Sequence, residues 1–488
     1  MRFGFEHSYA GLPERFFVCI EPTPVANPQL VVFNRSLCEQ LGLDPKVIEP
    51  EAATLFSGNR LPEDANPIAM AYAGHQFGAF VPRLGDGRAI LLGELRGRDG
   101  ALHDIQLKGA GLTPFSRNGD GRAVIGPMLR EYLISEAMHA LGVATTRSLA
   151  VVTTGETVFR EGALPGAILT RVAASHVRVG TFQYFAARGD EEAIRALLDY
   201  VIARHYPAAA DAEVPALAVL REVAHRQAAL IADWMLLGFI HGVMNTDNMA
   251  ISGETIDYGP CAFMDGYDPN TVFSSIDHGG RYAYANQPVI AQWNLARFAE
   301  TLLFLIDPEP EAAIRVATDV IEPFVGQFNA RFLAGMRRKI GLASVREGDT
   351  ELIRRLLAAM QESQADFTLT FRALALAAES AGRTPPPGGP GPERLPPEEW
   401  LRDWQERLAH DPQSPAERAA AMRSVNPAFI PRNHRVQAAL NAADAGDYTL
   451  FLRLVTILQR PFDAQTDRAA YGEPPQPSER VLQTFCGT

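Results

Sequence analysis

Cysteine is scarce in this chain. Four stand among 488 residues, Cys19, Cys38, Cys261 and Cys486, and no CxxC pair occurs. That excludes a disulfide-built secreted framework. Long apolar runs are missing too. The best candidate, Leu230–Ile240, is interrupted by Asp233 and falls short of the ~18–20 residues a bilayer span needs. The opening segment Met1–Phe17 carries Arg2, Glu6, Glu14 and Arg15 and has no apolar signal core. Positive charge is in deficit: 45 Lys+Arg against 57 Asp+Glu give a formal charge of −12. General binding of nucleic acid or anionic membrane is therefore not expected, although a local basic pocket for a phosphorylated ligand is compatible with the balance. The expectation is a soluble, cytoplasmic protein. The chain is 47% hydrophobic and 21% charged, ordinary globular usage that can bury a sizeable core. Its length corresponds to about three domain-sized units, or one large fold with an appended lobe.

Residues 1–180 read as mixed α/β. Short β-rich runs at Phe16–Ile20, Leu30–Phe33, Ala89–Leu95, Ile105–Leu107, Leu149–Thr153 and Ala167–Val172 are separated by Gly- and Asp-rich turns. One helix stands among them. Pro127 suits its first turn, Met128, Leu129, Tyr132, Leu133, Ala137 and Leu141 recur at helical spacing, and Gly142 ends it. Beyond about residue 187 the pattern turns helical. Glu222–Ile240 is strongly apolar, and further helical patterns cover 291–306, 311–340 and 351–381. Pro385–Pro397 holds seven prolines and three glycines and reads as a linker or surface loop. Shorter helices follow near 398–408, 417–423, 435–443 and 448–458. The resulting expectation is an α+β fold with a β-rich N-terminal lobe, 1–180, and a larger helical C-terminal lobe, 181–488. That is the layout of a two-lobed protein kinase, although layout alone does not fix a function.

The polar loop 241–259 carries the chemistry. It reads His241-Gly-Val-Met-Asn-Thr-Asp247-Asn248, with Asp257-Tyr258-Gly259 nine residues beyond Asn248. A kinase catalytic loop is H-R-D-x-x-x-x-N followed by D-F-G. Mg²⁺ takes hard oxygen ligands, usually one or two from the protein, and Asn248 and Asp257 have the right chemistry and order. Position 243, where the template has its catalytic aspartate, is valine. Valine takes no proton, so an ordinary γ-phosphate kinase is not expected. Asp247 is the nearest replacement base, with a turn-capping role as the alternative. Upstream, Lys108 ends a β-run and Glu131 lies on the helix that follows, the arrangement kinases use to hold phosphates. Gly/Arg clusters at Gly85-Asp-Gly87-Arg88 and Arg117-Asn-Gly-Asp120-Gly121-Arg122, with Arg171 and Arg178, add backbone N–H groups and guanidinium forks suited to phosphate. Gly-Asp-Gly alone is a common hairpin turn. His75 has no second histidine at ligand spacing and reads as structural.

With these residues in hand, the chain resembles the selenoprotein O family of kinase-like proteins over nearly its whole length. The densest segments are Ala71-Tyr-Ala-Gly-His-Gln-Phe-Gly, Leu84-Gly-Asp-Gly-Arg-Ala, Leu107-Lys-Gly-Ala-Gly-Leu-Thr-Pro-Phe-Ser-Arg, Asn118-Gly-Asp-Gly-Arg-Ala, His241-Gly-Val-Met-Asn-Thr-Asp-Asn-Met, Ile256-Asp-Tyr-Gly-Pro-Cys and Asn426-Pro-Ala-Phe-Ile-Pro-Arg-Asn-His. The resemblance implies a pseudokinase fold that binds ATP in reversed orientation and moves AMP onto Ser, Thr or Tyr hydroxyls of proteins, or UMP in the related reaction, releasing pyrophosphate. It implies nucleotide contacts from Gly85, Gly87, Arg88, Lys108, Asp120, Gly121, Arg171, Arg178 and Asp257. Glu131 becomes the partner of Lys108, Asn248 and Asp257 the ligands of Mg²⁺ or Mn²⁺, and Asp247 the proton acceptor. The family often ends in a selenocysteine or cysteine before two small residues, and Cys486-Gly487-Thr488 fits the cysteine form. Cys261 and Cys486 are then a candidate redox pair, with two separate thiols in a reducing cytoplasm as the alternative. Two other readings stay open at this point: an atypical γ-phosphate kinase and a non-catalytic ATP-binding scaffold.

Overall fold

A computed structural model of the chain describes residues 1–160, 162–380 and 394–485. Most strands fall early: β1 (Phe17–Cys19), β2 (Gln29–Phe33), β3 (Ile68–Met70), β4 (Gly74–Gln76), β5 (Ala79–Val81), β6 (Ala89–Arg96), β7 (Leu102–Lys108), β8 (Ala123–Val124), β9 (Arg147–Phe159) and β10 (Ala163–Ala173). Eight of them form one sheet in the order β1-β3-β6-β7-β10-β9-β2, with β8 added on β10. Every pairing in it is antiparallel. β4 and β5 make a separate hairpin. Two residues each of β11 (Phe239–Ile240) and β12 (Ala262–Phe263) pair later in the chain.

Side-chain alternation gives the sheet two faces. Ile105 and Leu107 of β7 and Ile168 and Val172 of β10 enter one apolar cluster. It also takes in Leu37, Ile48 and Leu55 from three short helices, α1 (Arg35–Gln40), α2 (Pro45–Ile48) and α3 (Ala52–Phe56). The residues between them, Gln106 and Lys108, belong to the other face, and Arg171 of β10 stands opposite Gln106 in register. Ala167 and Leu169 of that second face pack on α4 (Ile125–Ala140).

From residue 179 the chain is mainly helical: α5 (Val179–Ala186), α6 (Glu191–His205), α7 (Pro215–Leu236), α8 (Gln287–Glu300), α9 (Leu303–Ile306), α10 (Pro310–Ile321), α11 (Phe324–Lys339), α12 (Asp349–Ser363), α13 (Phe367–Glu379), α14 (Glu398–Leu408), α15 (Pro415–Val425), α16 (Asn433–Asp444) and α17 (Thr449–Leu458). The mixed α and β content expected from the sequence is borne out, with corrections. The apolar pattern over 222–240 is α7, which starts earlier, at Pro215. It stops at Leu236 because Gly238 takes φ +72°, and Phe239–Ile240 becomes a strand. Each of the three long helical patterns divides in two. Pro323 separates α10 from α11, and Gln364, at φ +52°, closes α12 before α13 begins. Of the Pro/Gly-rich stretch 385–397, only residues from Arg394 onward are among those described. No helix among the described residues is long and apolar enough to cross a membrane.

α16 and α17 come back to cover α4. Met128, Leu129, Tyr132 and Leu133 of α4 share a core with Val436, Leu440, Phe451 and Leu454, and the Tyr132 and Phe451 rings meet edge to face at 6.0 Å. α4 is thus enclosed between the sheet and a helix pair contributed some 300 residues later.

Candidate active site

A cleft of about 650 Å³ lies against the second sheet face, bounded by α4, the loop 243–248 and the segment 257–259. Lys108 closes β7 there. Its Nζ donates to Glu131 Oε2 of α4 at 2.6 Å and to Asp257 Oδ1 at 3.3 Å. Arg171 lies on the same face. Its Nε donates to Glu131 Oε1 at 2.7 Å, its Nη2 to Asp257 Oδ1 at 2.7 Å and its Nη1 to Gln106 Oε1 at 3.5 Å. Arg178, just before α5, donates from Nη1 to Asp257 Oδ2 at 2.5 Å and to the Asp247 carbonyl at 2.7 Å, with its guanidinium 4.7 Å from the Tyr72 ring centroid. Three cations therefore pair directly with two carboxylates, Glu131 and Asp257.

Arg171 and Glu131 side chains are each only 2% exposed. Charges so buried persist only when paired and hydrogen-bonded. Burial alone pushes the Asp257 carboxyl up, but Arg171, Arg178 and Lys108 outweigh it and hold it well below the usual carboxylate range. Glu131 behaves alike, with Arg171 and then Lys108 overcoming its burial. Asp257 adopts φ +62°, a left-handed conformation that aspartate tolerates better than most residues.

The loop 241–248 is anchored by its buried histidine. The His241 ring stacks on Trp234 at 5.3 Å, its Nε2 meets the Ile256 carbonyl at 2.9 Å and its backbone N–H donates to Gln287 Oε1 at 3.1 Å. Val243 offers its carbonyl, which accepts from Asn248 Nδ2 at 2.9 Å, so the Asn248 amide is oriented by its NH₂ group. Asp247 is buried. Its Oδ2 accepts from Gln76 Nε2 at 3.3 Å, and its Oδ1 has no hydrogen-bond partner. Burial pushes its carboxyl up to about 6 against the pull of Arg178.

Asn248 and Asp257 are hard oxygen donors on one wall. No group of three or more His, Cys, Asp or Glu gathers as a metal cage among the described residues. Mg²⁺ normally keeps phosphate and water oxygens beside one or two protein carboxylates. The donors present fit an ion that arrives with a nucleotide.

The glycine clusters form the opposite wall. Gly85 sits at φ +70°, and a Cβ there would fall 2.2 Å from the Phe115 ring, so no larger residue fits. Asp86 between the glycines is buried. Its Oδ2 accepts from the Met70 amide at 3.1 Å and Gln106 Nε2 at 3.2 Å, and burial pushes it up to about 6. Gly87, Arg88 and Gly121 line the cleft. Asp120 does too, held in a two-pronged pair by Arg160 at 2.9 Å for each bond. Arg122 turns its guanidinium to the Thr23 and Pro24 carbonyls, both at 3.1 Å.

All the residues proposed from sequence for nucleotide, metal and base thus meet at this one cleft. Cys261 is not among the lining residues. Cys261 is buried, its carbonyl accepting from Arg130, and Cys486 lies outside the described residues. Sequence reasoning gave no role to Asp86, Gln76, Phe115 or Arg160. Asp86, Gln76 and Phe115 stood inside motifs named above, whereas nothing local marked Arg160.

A family model described as protein adenylyltransferase SelO matches residues 1–459. Curated relatives named protein nucleotidyltransferase YdiU are similar along the whole length. That of Rhizobium etli (strain CIAT 652) is 62% identical over 487 residues, covering 100% of this chain and 97% of its own. Those of Rhizobium meliloti (strain 1021) and Bradyrhizobium diazoefficiens are each 60% identical, covering 100% of this chain and 99% and 100% of their own.

Proposed function

Because the chain belongs to the SelO family of protein adenylyltransferases, we propose that this cleft binds ATP with its β- and γ-phosphates on Lys108, Arg171 and Arg178. The α-phosphorus is then presented to a protein hydroxyl. The chain is a nucleotidyltransferase, and the finer reading is a kinase-like, two-lobed fold, with 1–180 and 181–488 as its lobes, that runs the nucleotide backwards. The observation that carries it is the pairing of a cation-rich sheet face with Val243 in place of the kinase aspartate. A γ-phosphate transferase needs a base at position 243, whereas a departing pyrophosphate needs cations.

In the step itself the acceptor oxygen attacks the α-phosphorus. The new O–P bond forms as the bond from the α-phosphorus to the bridging oxygen breaks, and pyrophosphate leaves with that electron pair. The acceptor's proton passes to Asp247, which burial makes a better base than an exposed aspartate. Lys108, Arg171 and Arg178 offset charge building on the leaving group, worth on the order of 10²–10³ in rate for one such contact. Asn248 and Asp257 would hold Mg²⁺ or Mn²⁺, which when bound supplies further charge neutralisation at the phosphates. Ser, Thr and Tyr are the acceptor class, UMP transfer from UTP is the variant reaction, and a cytoplasmic setting follows from the need for ATP.

The test is which phosphate moves. Incubation with Mg²⁺ and an acceptor protein should give acid-stable label from α-labelled ATP, none from γ-labelled ATP, and an added AMP mass on Ser, Thr or Tyr. Label from γ-ATP alone would establish a kinase instead. Label from neither, with ATP still bound, would leave a scaffold.

A further inference from the structure

The β4–β5 hairpin docks on the loop that carries the proposed base, residue against residue. The His75 amide donates to Thr246 Oγ1 at 2.7 Å, Gln76 Nε2 to Asp247 Oδ2 at 3.3 Å and the Phe77 amide to Asn245 Oδ1 at 3.1 Å. Two of the three anchors are held a second time. Thr246 Oγ1 donates to Gln183 Oε1 at 2.6 Å, and Tyr282 OH to Asn245 Oδ1 at 2.6 Å. Gln183 Nε2 lies 2.9 Å from His75 Nδ1. The contact leaves no slack. A Cβ on Gly74 would lie 2.3 Å from Asp247 Oδ1, so only glycine lets the strand approach the carboxylate this closely.

Within that contact Gln76 is the distinctive member. His75 and Phe77 dock the hairpin through backbone amides, which any residue could supply. Toward the loop Gln76 alone hydrogen-bonds through its side chain, and among the described residues it supplies the one side-chain hydrogen bond the Asp247 carboxylate receives. Both Gln76 and Asp247 line the cleft. An amide is the suitable donor, because it fixes a carboxylate's plane without pairing its charge. A lysine or arginine there would neutralise it and weaken it as a base.

We propose that Gln76 is a positioning residue: with Oδ1 sealed against Gly74, it fixes the Oδ2 edge of Asp247, whose remaining lone pair receives the acceptor's proton. This rests on the reading of Asp247 as the base. A merely structural Gln76 would act by keeping the hairpin in place, and the two roles separate experimentally.

Initial rates of pyrophosphate release would be measured with Mg²⁺-ATP and dephosphorylated casein for the intact chain, Gln76→Met, Asp247→Asn and the double variant. Thermal midpoints and ATP affinity would be measured for all four. Gln76→Met keeps the length and removes the donor. It should lower kcat about 10–100-fold, part of the 10²–10⁴ a positioned base supplies. The KM for ATP and the midpoint should stay as in the intact chain. In the Asp247→Asn background the same change should cost less than about twofold, because residues acting as a unit are non-additive. If Asp247→Asn is slow but Gln76→Met still costs its full factor there, Gln76 does not act through Asp247 and the inference fails alone. A lowered midpoint with weakened ATP binding in Gln76→Met would likewise overturn it, as would kcat equal to that of the intact chain. Full turnover by Asp247→Asn would overturn the base reading itself.

Discussion

Glu131→Gln probes the charge arrangement most directly. Glu131 receives Lys108 at 2.6 Å and Arg171 at 2.7 Å, with both it and Arg171 2% exposed, so water screens the pair little. The amide keeps the shape and one acceptor but removes the charge, leaving Arg171 and Lys108 to share Asp257. Breaking a buried pair by removing one partner costs about 3–5 kcal/mol. The retained hydrogen bond puts this variant at the lower end, about 3 kcal/mol. ATP reverses part of the loss, because its phosphates supply the missing negative charge. The expected result is a lowered thermal midpoint without nucleotide and a gap to the unmodified chain that narrows as ATP or pyrophosphate is added. The gap should also narrow in acid. The Glu131 carboxyl is depressed from an ordinary 4.5, so its stabilisation is complete above that value and is lost as pH falls through the folded one. Differential scanning fluorimetry across pH and pyrophosphate concentration measures both. An unchanged midpoint for ligand-free Glu131→Gln would refute the reasoning, since it would mean the cation cluster does not depend on this carboxylate.

Asp257→Ala should abolish AMP transfer, and Asn248→Ala should lower it by on the order of 10²–10³; a mild effect of Asp257→Ala on pyrophosphate release would mean that the metal is held elsewhere. Lys108→Ala should raise the KM for ATP and lower turnover, checked by steady-state kinetics against nucleotide affinity. Lys339 is buried, 4.2 Å from the Phe371 ring centroid, and its ammonium is pushed by burial from 10.5 down to about 7. Between those values the unfolded chain holds a proton that the folded one has lost, so raising pH from about 7 toward 10 should stabilise the unmodified chain. Lys339→Met should remove that rise, and parallel pH profiles of the two midpoints would rule the argument out.

What could be read in the sequence divides along chemical lines. The loop 241–259 stands out because its chemistry resides in short spacings: His241, Asn248 and Asp257 fall within 17 residues. Lys108 and Glu131 lie 23 residues apart across one strand-to-helix step, also within reach of local reasoning. Six strands were legible because β-branched and apolar runs alternate with turn residues; β1 is shorter than its run and the other five longer, while the short β3, β4, β5 and β8 were not anticipated. The helix breaks were less so, since a left-handed Gln364 is a packing outcome that no periodicity announces. The role of Gln76 was invisible for a different reason. Its partner Asp247 is 171 residues away, and a lone glutamine carries no spacing to test. Asp86 was hidden by its own motif, since Gly-Asp-Gly reads as a solvent turn while the structure buries the carboxylate against the Met70 amide.

The enclosure of α4 has a consequence for control. Protein kinases commonly switch by moving the helix whose glutamate pairs the phosphate-binding lysine. Here that helix has nowhere to go. Swinging α4 outward would tear Leu129, Tyr132 and Leu133 from Leu440, Phe451 and Leu454, at about 1.5–3 kcal/mol for each large side chain exposed. The Lys108–Glu131 contact is made here, with α4 so enclosed. Control by displacing this helix is therefore costly, and the expected point of control is the cleft itself.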